Sequence, residues 1–291
     1  MFQLASGVYY VPGKNKSRFP YCSGLYIKGK KMRVLIDAGM GADQMAAVKQ
    51  MGLDLLLLTH CHIDHRLFWY QIKEIPVWSH ELEARLMMAP LAYFTQTGLT
   101  RSGVDITNLL NYSKKIFPVH VSGYLTDNQE IDVGDMRLIA LHTPGHTPGH
   151  FSFFIPEYGI LFSADIMLTR FGPFYGHDFS DIDDFIHSIK RLQCIEAKKI
   201  VTGHAGPFEK DLNKRFDKYA KVIDKREQKI LELMEHPCSM EYLQKQNIIY
   251  PSYANRDDLD HWFELVHIEK HLKRLEKAGK VCCEGTCWRR L

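Results

Sequence analysis

The chain has 291 residues, 45 % hydrophobic and 24 % charged, with 37 Lys and Arg against 34 Asp and Glu for a formal charge of +3. That length suits one large domain or a medium one with an appendage, and no run of about 18 apolar residues provides a membrane-spanning helix. Charge this near balance excludes a nucleic-acid binder announced by bulk charge. Seven scattered cysteines form no disulfide framework, and the N-terminal stretch has neither the basic nor the apolar region of a signal peptide. A cytoplasmic protein is expected.

In chain order, β-rich runs at 8–11, 25–27 and 34–36 predict a meander, closed by Gly39 and Gly41. A short helix follows over 43–51, with Asp43 as N-cap and Gly52 as stop, and then four leucines, Leu55 to Leu58, predict a strand buried on both faces. Between 65 and 125 the pattern mixes a strand near Val77, a helix from Ser79, and Tyr93, Phe94, Tyr112 and Phe117 as a lid or pocket wall. Strands resume at 136–141, 151–155 and 160–162, followed by an amphipathic helix from Ser180 and a last strand at 200–202. Beyond Pro207 glycine thins out and lysine and glutamate rise, which places a boundary between domains at 1–210 and 211–291. The second carries helices near 214–235, 240–244 and 259–277 and a single strand-like piece from Val281 to Trp288.

The richest local signal is Thr59-His60-Cys61-His62-Ile63-Asp64-His65, just where the leucine strand ends. In extended chain His60 and His62 share one side while Cys61 points away, so both imidazoles reach one cation. Asp64 and His65, past the turn, face a second position. Further ligands follow later strands: His146 in HTPGHTPGH, Asp165 in LFSADIM and His204 in IVTGHAGP. His142, His146 and His150 recur every four residues, and His146 is preferred because Pro144-Gly145 sets it at the turn.

The order and context of His60, His62, Asp64, His65, His146, Asp165 and His204 resemble the metal-ligand set of the metallo-β-lactamase fold superfamily, over roughly residues 5 to 210. The resemblance implies an α/β fold, an αββα sandwich of two mixed sheets with the site at one sheet edge. It implies that His60, His62 and His146 hold one metal and Asp64, His65 and His204 the other, with Asp165 bridging. Two divalent ions are expected, zinc first and iron or manganese as alternatives. A hydroxide shared by the two ions is the expected nucleophile, and Asp64 the catalytic residue that orients it and carries its proton.

A carboxylate at position 165 looks more like the superfamily's thioesterases, lactonases and nucleases than its β-lactamases. Glyoxalase II-type enzymes bind glutathione through basic and tyrosine residues after the bridging aspartate; here residues 169–177 contain no lysine, which argues against glutathione. Tyr175 and His177 are candidate contacts to a small-molecule substrate, and Arg66 is a guanidinium at the entrance for an anionic one. Residues 267–281 resemble the last helix and first wing strand of a winged-helix module, and six cations against two anions from His271 to Leu291 leave +4 there. Hydrolysis of an ester, thioester or lactone is the first reading. A phosphodiesterase or endoribonuclease using the basic tail on nucleic acid is the alternative, and a mononuclear iron sulfur dioxygenase the second. The tail serves equally as a wall of the active site or a homodimer interface, and Cys282, Cys283 and Cys287 lack the spacing of a four-ligand zinc site.

Overall fold

The computed structural model describes residues 1–107, 116–250 and 258–291. In the first sheet, β1 (Phe2–Ala5), β2 (Val8–Val11), β3 (Gly24–Lys28) and β4 (Arg33–Ile36) run antiparallel, and β5 (Leu55–Leu57), β6 (Val77–Ser79) and β7 (Gly123–Tyr124) continue it in parallel. The second orders β8 (Gln129–Asp132), β9 (Arg137–His142), β10 (Phe151–Ile155), β11 (Ile160–Phe162) and β12 (Lys199–Val201), with only β11 and β12 parallel. Both sheets are therefore mixed.

Residue alternation stacks the layers. Leu25, Ile27, Val34, Ile36, Leu55 and Leu57 point into a core shared with Leu138, Ala140, Phe151 and Phe153 of the second sheet. The intervening Tyr26, Leu35 and Leu56 face the opposite way, onto Met45 and Val48 of helix α1 (Ala42–Met51). Every second side chain changes face in a strand, so the leucine run is buried on both sides because both sides are covered. Outside the second sheet, Ile182, Phe185, Ile189 and Leu192 of α4 (Ile182–Gln193) bury one stripe, and the Asp181 carboxylate caps the helix by accepting from Asp184 N at 2.9 Å. Helices α2 (Glu81–Leu86) and α3 (Pro90–Gln96) lie between these blocks in sequence.

Two details depart from the sequence reading. Gly41, not Asp43, occupies the N-cap of α1; Asp43 sits in the first turn and pairs with Lys14 at 3.0 Å. The piece at 281–288 is a hairpin, β14 (Val281–Glu284) and β15 (Cys287–Arg290), turned at Gly285 with φ 63°. One strand and two short ones are hard to distinguish from a brief run of residues, and here the glycine decides. Tyr112 lies outside the described residues.

The C-terminal segment comprises α5 (Leu212–Leu233), β13 (Cys238–Ser239), α6 (Met240–Lys245), α7 (Asp258–Lys277) and the hairpin, with sheet order β13-β15-β14. Phe216, Tyr219 and Ile223 of α5 pack into the core under the second sheet, whereas Ile230 joins a small separate core with Leu243, Ile268, Leu272 and Val281. Trp262 and Val266 of α7 pack into the outer core of the first sheet. Among the described residues, no helix is long and apolar enough to cross a membrane.

Candidate metal centre

Parallel pairing of β4 with β5 sets their C-terminal ends side by side, so Asp37 after β4 meets Thr59 after β5. Asp37 holds a left-handed φ of 62°, and its carboxylate accepts from Thr59 N at 2.9 Å and from His65 Nδ1 at 2.8 Å. Strain of this kind in a non-glycine residue persists where surrounding bonds over-determine it. Gly39 passes so close to the next loop that a Cβ there would lie 1.6 Å from the Asp64 carbonyl. A side chain at 39 would push that loop away from the site.

Seven side chains far apart in sequence converge at these strand ends. His62 Nδ1 lies 3.0 Å from His60 Nε2 and 2.9 Å from His146 Nε2. Asp64 Oδ2 lies 3.1 Å from His204 Nε2, which is 3.3 Å from His65 Nε2. Asp165 stands between the groups, with Oδ2 at 3.1 Å from His146 Nε2 and Oδ1 at 3.0 Å from His65 Nε2. Two donor sets, His60-His62-His146-Asp165 and Asp64-His65-His204, are each compact enough for one ion.

The far nitrogens settle the tautomers. Nδ1–H of His65 donates to Asp37, that of His146 to the Phe174 carbonyl at 2.8 Å, and that of His204 to the Ser17 carbonyl at 2.7 Å. The Thr59 hydroxyl donates to Asp37 and so accepts from His60 Nδ1 at 2.9 Å. Each of these rings therefore turns Nε2, the nitrogen left for a ligand, inward. Asp165 Oδ1 is buried and accepts no hydrogen bond. Imidazole nitrogens gathered around an orphaned carboxylate oxygen call for positive charge among them, a proton or a cation, so the residues fit a metal centre.

The electrostatics agree. Burial by itself would raise the Asp165 carboxyl, but His65, His204 and His146 hold it well below the ordinary carboxylate range. Burial also opposes protonation of His204, yet Asp165 and Asp64 lift it to about 9. His60 and His62 go the other way, pushed well below the usual imidazole range by burial and by neighbouring histidines. The acidic half of the site thus favours added positive charge, and His60 and His62 stay neutral, as ligands must.

Positions of the remaining expected residues vary. His150 accepts from Asp165 N at 3.3 Å, and His142 reaches the Pro148 carbonyl, so both lie behind the centre. His177 packs beside His62, ring centres 4.7 Å apart, with a buried Nδ1 that has no partner. Tyr175 does not face the site: it is fully buried, its hydroxyl 2.7 Å from His271 Nε2 and 2.8 Å from Arg226 Nη1. Arg66 is also fully buried, donating to the Cys61 and Ile116 carbonyls over the Phe117 ring, and cannot meet a substrate at the entrance. Sequence proximity to a ligand suggests the entrance for Arg66 and a substrate contact for Tyr175, whereas the fold buries both side chains in the interior.

The C-terminal segment meets the centre through the loop at 171–177. Arg226 donates to the Phe171 and Pro173 carbonyls, and His267 Nε2 accepts from Tyr175 N at 3.1 Å. Phe174, between them, offers the carbonyl that orients His146. Asp37, Ser17 and His267 all support the site, and sequence reasoning assigned none of them a role.

An αββα sandwich with a paired His/Asp site at its strand ends defines a class of metal-dependent hydrolases. The sequence pattern of the metallo-beta-lactamase superfamily matches residues 18–204, and the chain belongs to that superfamily. It is similar to a beta-lactamase-like protein 2 homolog of Drosophila melanogaster, 26 % identical over 96 % of this chain and 91 % of the other. It is also similar to the acyl-coenzyme A thioesterase MBLAC2 of Gallus gallus, 25 % identical over 70 % of this chain and 80 % of the other. The structure resembles that of the metallo-beta-lactamase family protein TTHA1429 of Thermus thermophilus, with TM-score 0.80, 23 % identity, and 99 % and 100 % of the two chains covered.

Proposed function

We propose that this metallo-hydrolase carries two divalent ions, zinc first, and cleaves acyl thioesters or esters of small-molecule substrates. The observation that carries the reading is Asp165, whose two oxygens each face a different donor group. His60, His62 and His146 would hold one ion, Asp64, His65 and His204 the other, and Asp165 both. When bound, such a pair polarises the scissile carbonyl and supplies hydroxide from water near neutral pH. Asp64 accepts and passes on the proton. His177, packed beside the His62 ring, is the proposed contact to the substrate.

An acyl chain is favoured by the aromatic wall beside the histidines: Phe179 stacks on His62 at 6.0 Å, and Phe174 and Phe263 close the side behind His177. The similarity to a protein named acyl-coenzyme A thioesterase points the same way. The order α5, β13, α6, α7, β14, β15 supports a winged-helix-like reading of the C-terminal segment. Its use on nucleic acid is disfavoured because Trp262 and Val266 of α7 are buried against the catalytic core and Arg274 is engaged by Asp183 and Glu227.

The test is a panel of acyl-coenzyme A thioesters, acyl esters and single-stranded RNA, assayed on protein of measured metal content. Thioester or ester turnover with about two ions per chain, abolished in Asp165→Ala, is expected. RNA cleavage without acyl hydrolysis would overturn the substrate assignment, and one iron per chain with oxygen uptake would overturn the reaction.

A further inference from the structure

Glu83, in the first turn of α2, is fully buried, and its carboxylate has two backbone N–H groups as partners. Oε2 accepts from Cys61 N at 2.7 Å and Oε1 from Gly149 N at 2.7 Å. Cys61 stands between His60 and His62, and Gly149 lies in the loop of His146, directly before the His150 that holds Asp165 N. One carboxylate thus clasps, from behind, the two loops that carry the first donor group.

Burying a carboxylate is costly, and among the described residues no cation lies within ion-pair distance of this one. Its cost is offset by short, charge-assisted bonds to N–H groups, which are about twice as strong as neutral ones, together with the Cys61 thiol and the charge of the buried Arg66 guanidinium. Approach is also close on the far side, since a Cβ on Gly149 would lie 2.8 Å from Glu83 Cγ and 2.7 Å from His80 Cβ. Helix, carboxylate and loop leave no slack. Loosening either bond frees the loops to move apart, and the 2.9 Å approach of His62 Nδ1 to His146 Nε2 is what that movement would open.

We propose that Glu83 is a positioning residue which sets the spacing of the first metal position, and so its affinity, without touching the ion. The inference rests on reading His60, His62 and His146 as ligands. In Glu83→Gln the amide NH2 must face one of the two N–H donors, so one clasp is lost with almost no change in volume.

The experiment is zinc titration of wild type and E83Q against a chromophoric chelator, with melting of the metal-free proteins alongside. Expected is wild type binding two zinc ions, and E83Q retaining the second-position affinity while the first weakens about 10- to 100-fold. Two unchanged affinities, or equal loss at both positions tracking a general fall in melting temperature, would overturn the proposal. Wild type binding no zinc would instead sink the ligand reading beneath it. Should E83Q fail to fold, amide exchange of the zinc-loaded wild type decides: Cys61 and Gly149 protected to the level of global unfolding supports the clasp, and rapid exchange at either refutes it.

Discussion

Replacing Tyr175 with Phe separates two roles for the residue that have opposite signatures. The change removes one hydroxyl, which donates to His271 Nε2 and accepts from Arg226 Nη1. Arg226 Nη1 keeps the Pro173 carbonyl, but His271 Nε2 is left buried and unpaired at a cost of about 1–3 kcal/mol, so the variant should lose about that much stability. With an unfolding entropy of about 2.1 cal/mol/K per residue, a chain of 291 residues falls in melting temperature by about 2–5 °C. Arg226 keeps its bonds to the Phe171 and Pro173 carbonyls, so the loop stays in place and KM for an acyl substrate should stay within about twofold. Calorimetry and steady-state kinetics on one preparation measure both. Unchanged melting with a tenfold rise in KM would refute the buried role and restore Tyr175 to the substrate.

Asp37→Asn puts an amide NH2 against donors of Thr59 or His65, and should weaken the second metal position about 10- to 100-fold while sparing the first, read by chelator competition. Stability should also fall in mild acid at His267, whose Nδ1–H donates to the Phe263 carbonyl at 2.7 Å while Nε2 accepts from Tyr175 N. Burial, and then Arg226, hold its pKa well below the ordinary value, so the unfolded chain takes up the extra proton. Its contribution is complete above about pH 6.5 and is lost as pH falls, by about 1.4 kcal/mol per pH unit. Denaturant unfolding of His267→Gln should show a slope smaller by about one proton between about pH 6.5 and 5; an identical slope would place the sensitivity elsewhere.

The metal-binding stretch was legible because its chemistry is local. His60 and His62 share a side and Cys61 turns into the core, as two-residue periodicity demands, and His146 separates from His142 and His150 at the Pro144-Gly145 turn. The alternation of the leucine strand and the stripe of α4 likewise foretold which faces are covered. Arg66 and Tyr175 misled for the same reason in reverse: proximity in sequence to a ligand says nothing about side-chain direction after a turn.

Which His and Asp side chains gather at the strand ends, and which strand and helix faces are covered, could be read from residue type and short-range period, whereas the layered sandwich was implied by the family resemblance. Everything that depends on two distant backbones meeting had to wait for the folded chain. Glu83 reads as an ordinary polar residue of a short helix until Cys61 and Gly149 arrive on either side of it. His267 and Arg226 read as members of two C-terminal helices until they grip the loop that orients His146. Periodicity records whether a side chain is buried, but not which carbonyl or amide it will find there, because those partners are supplied by chain closure and not by neighbours in sequence.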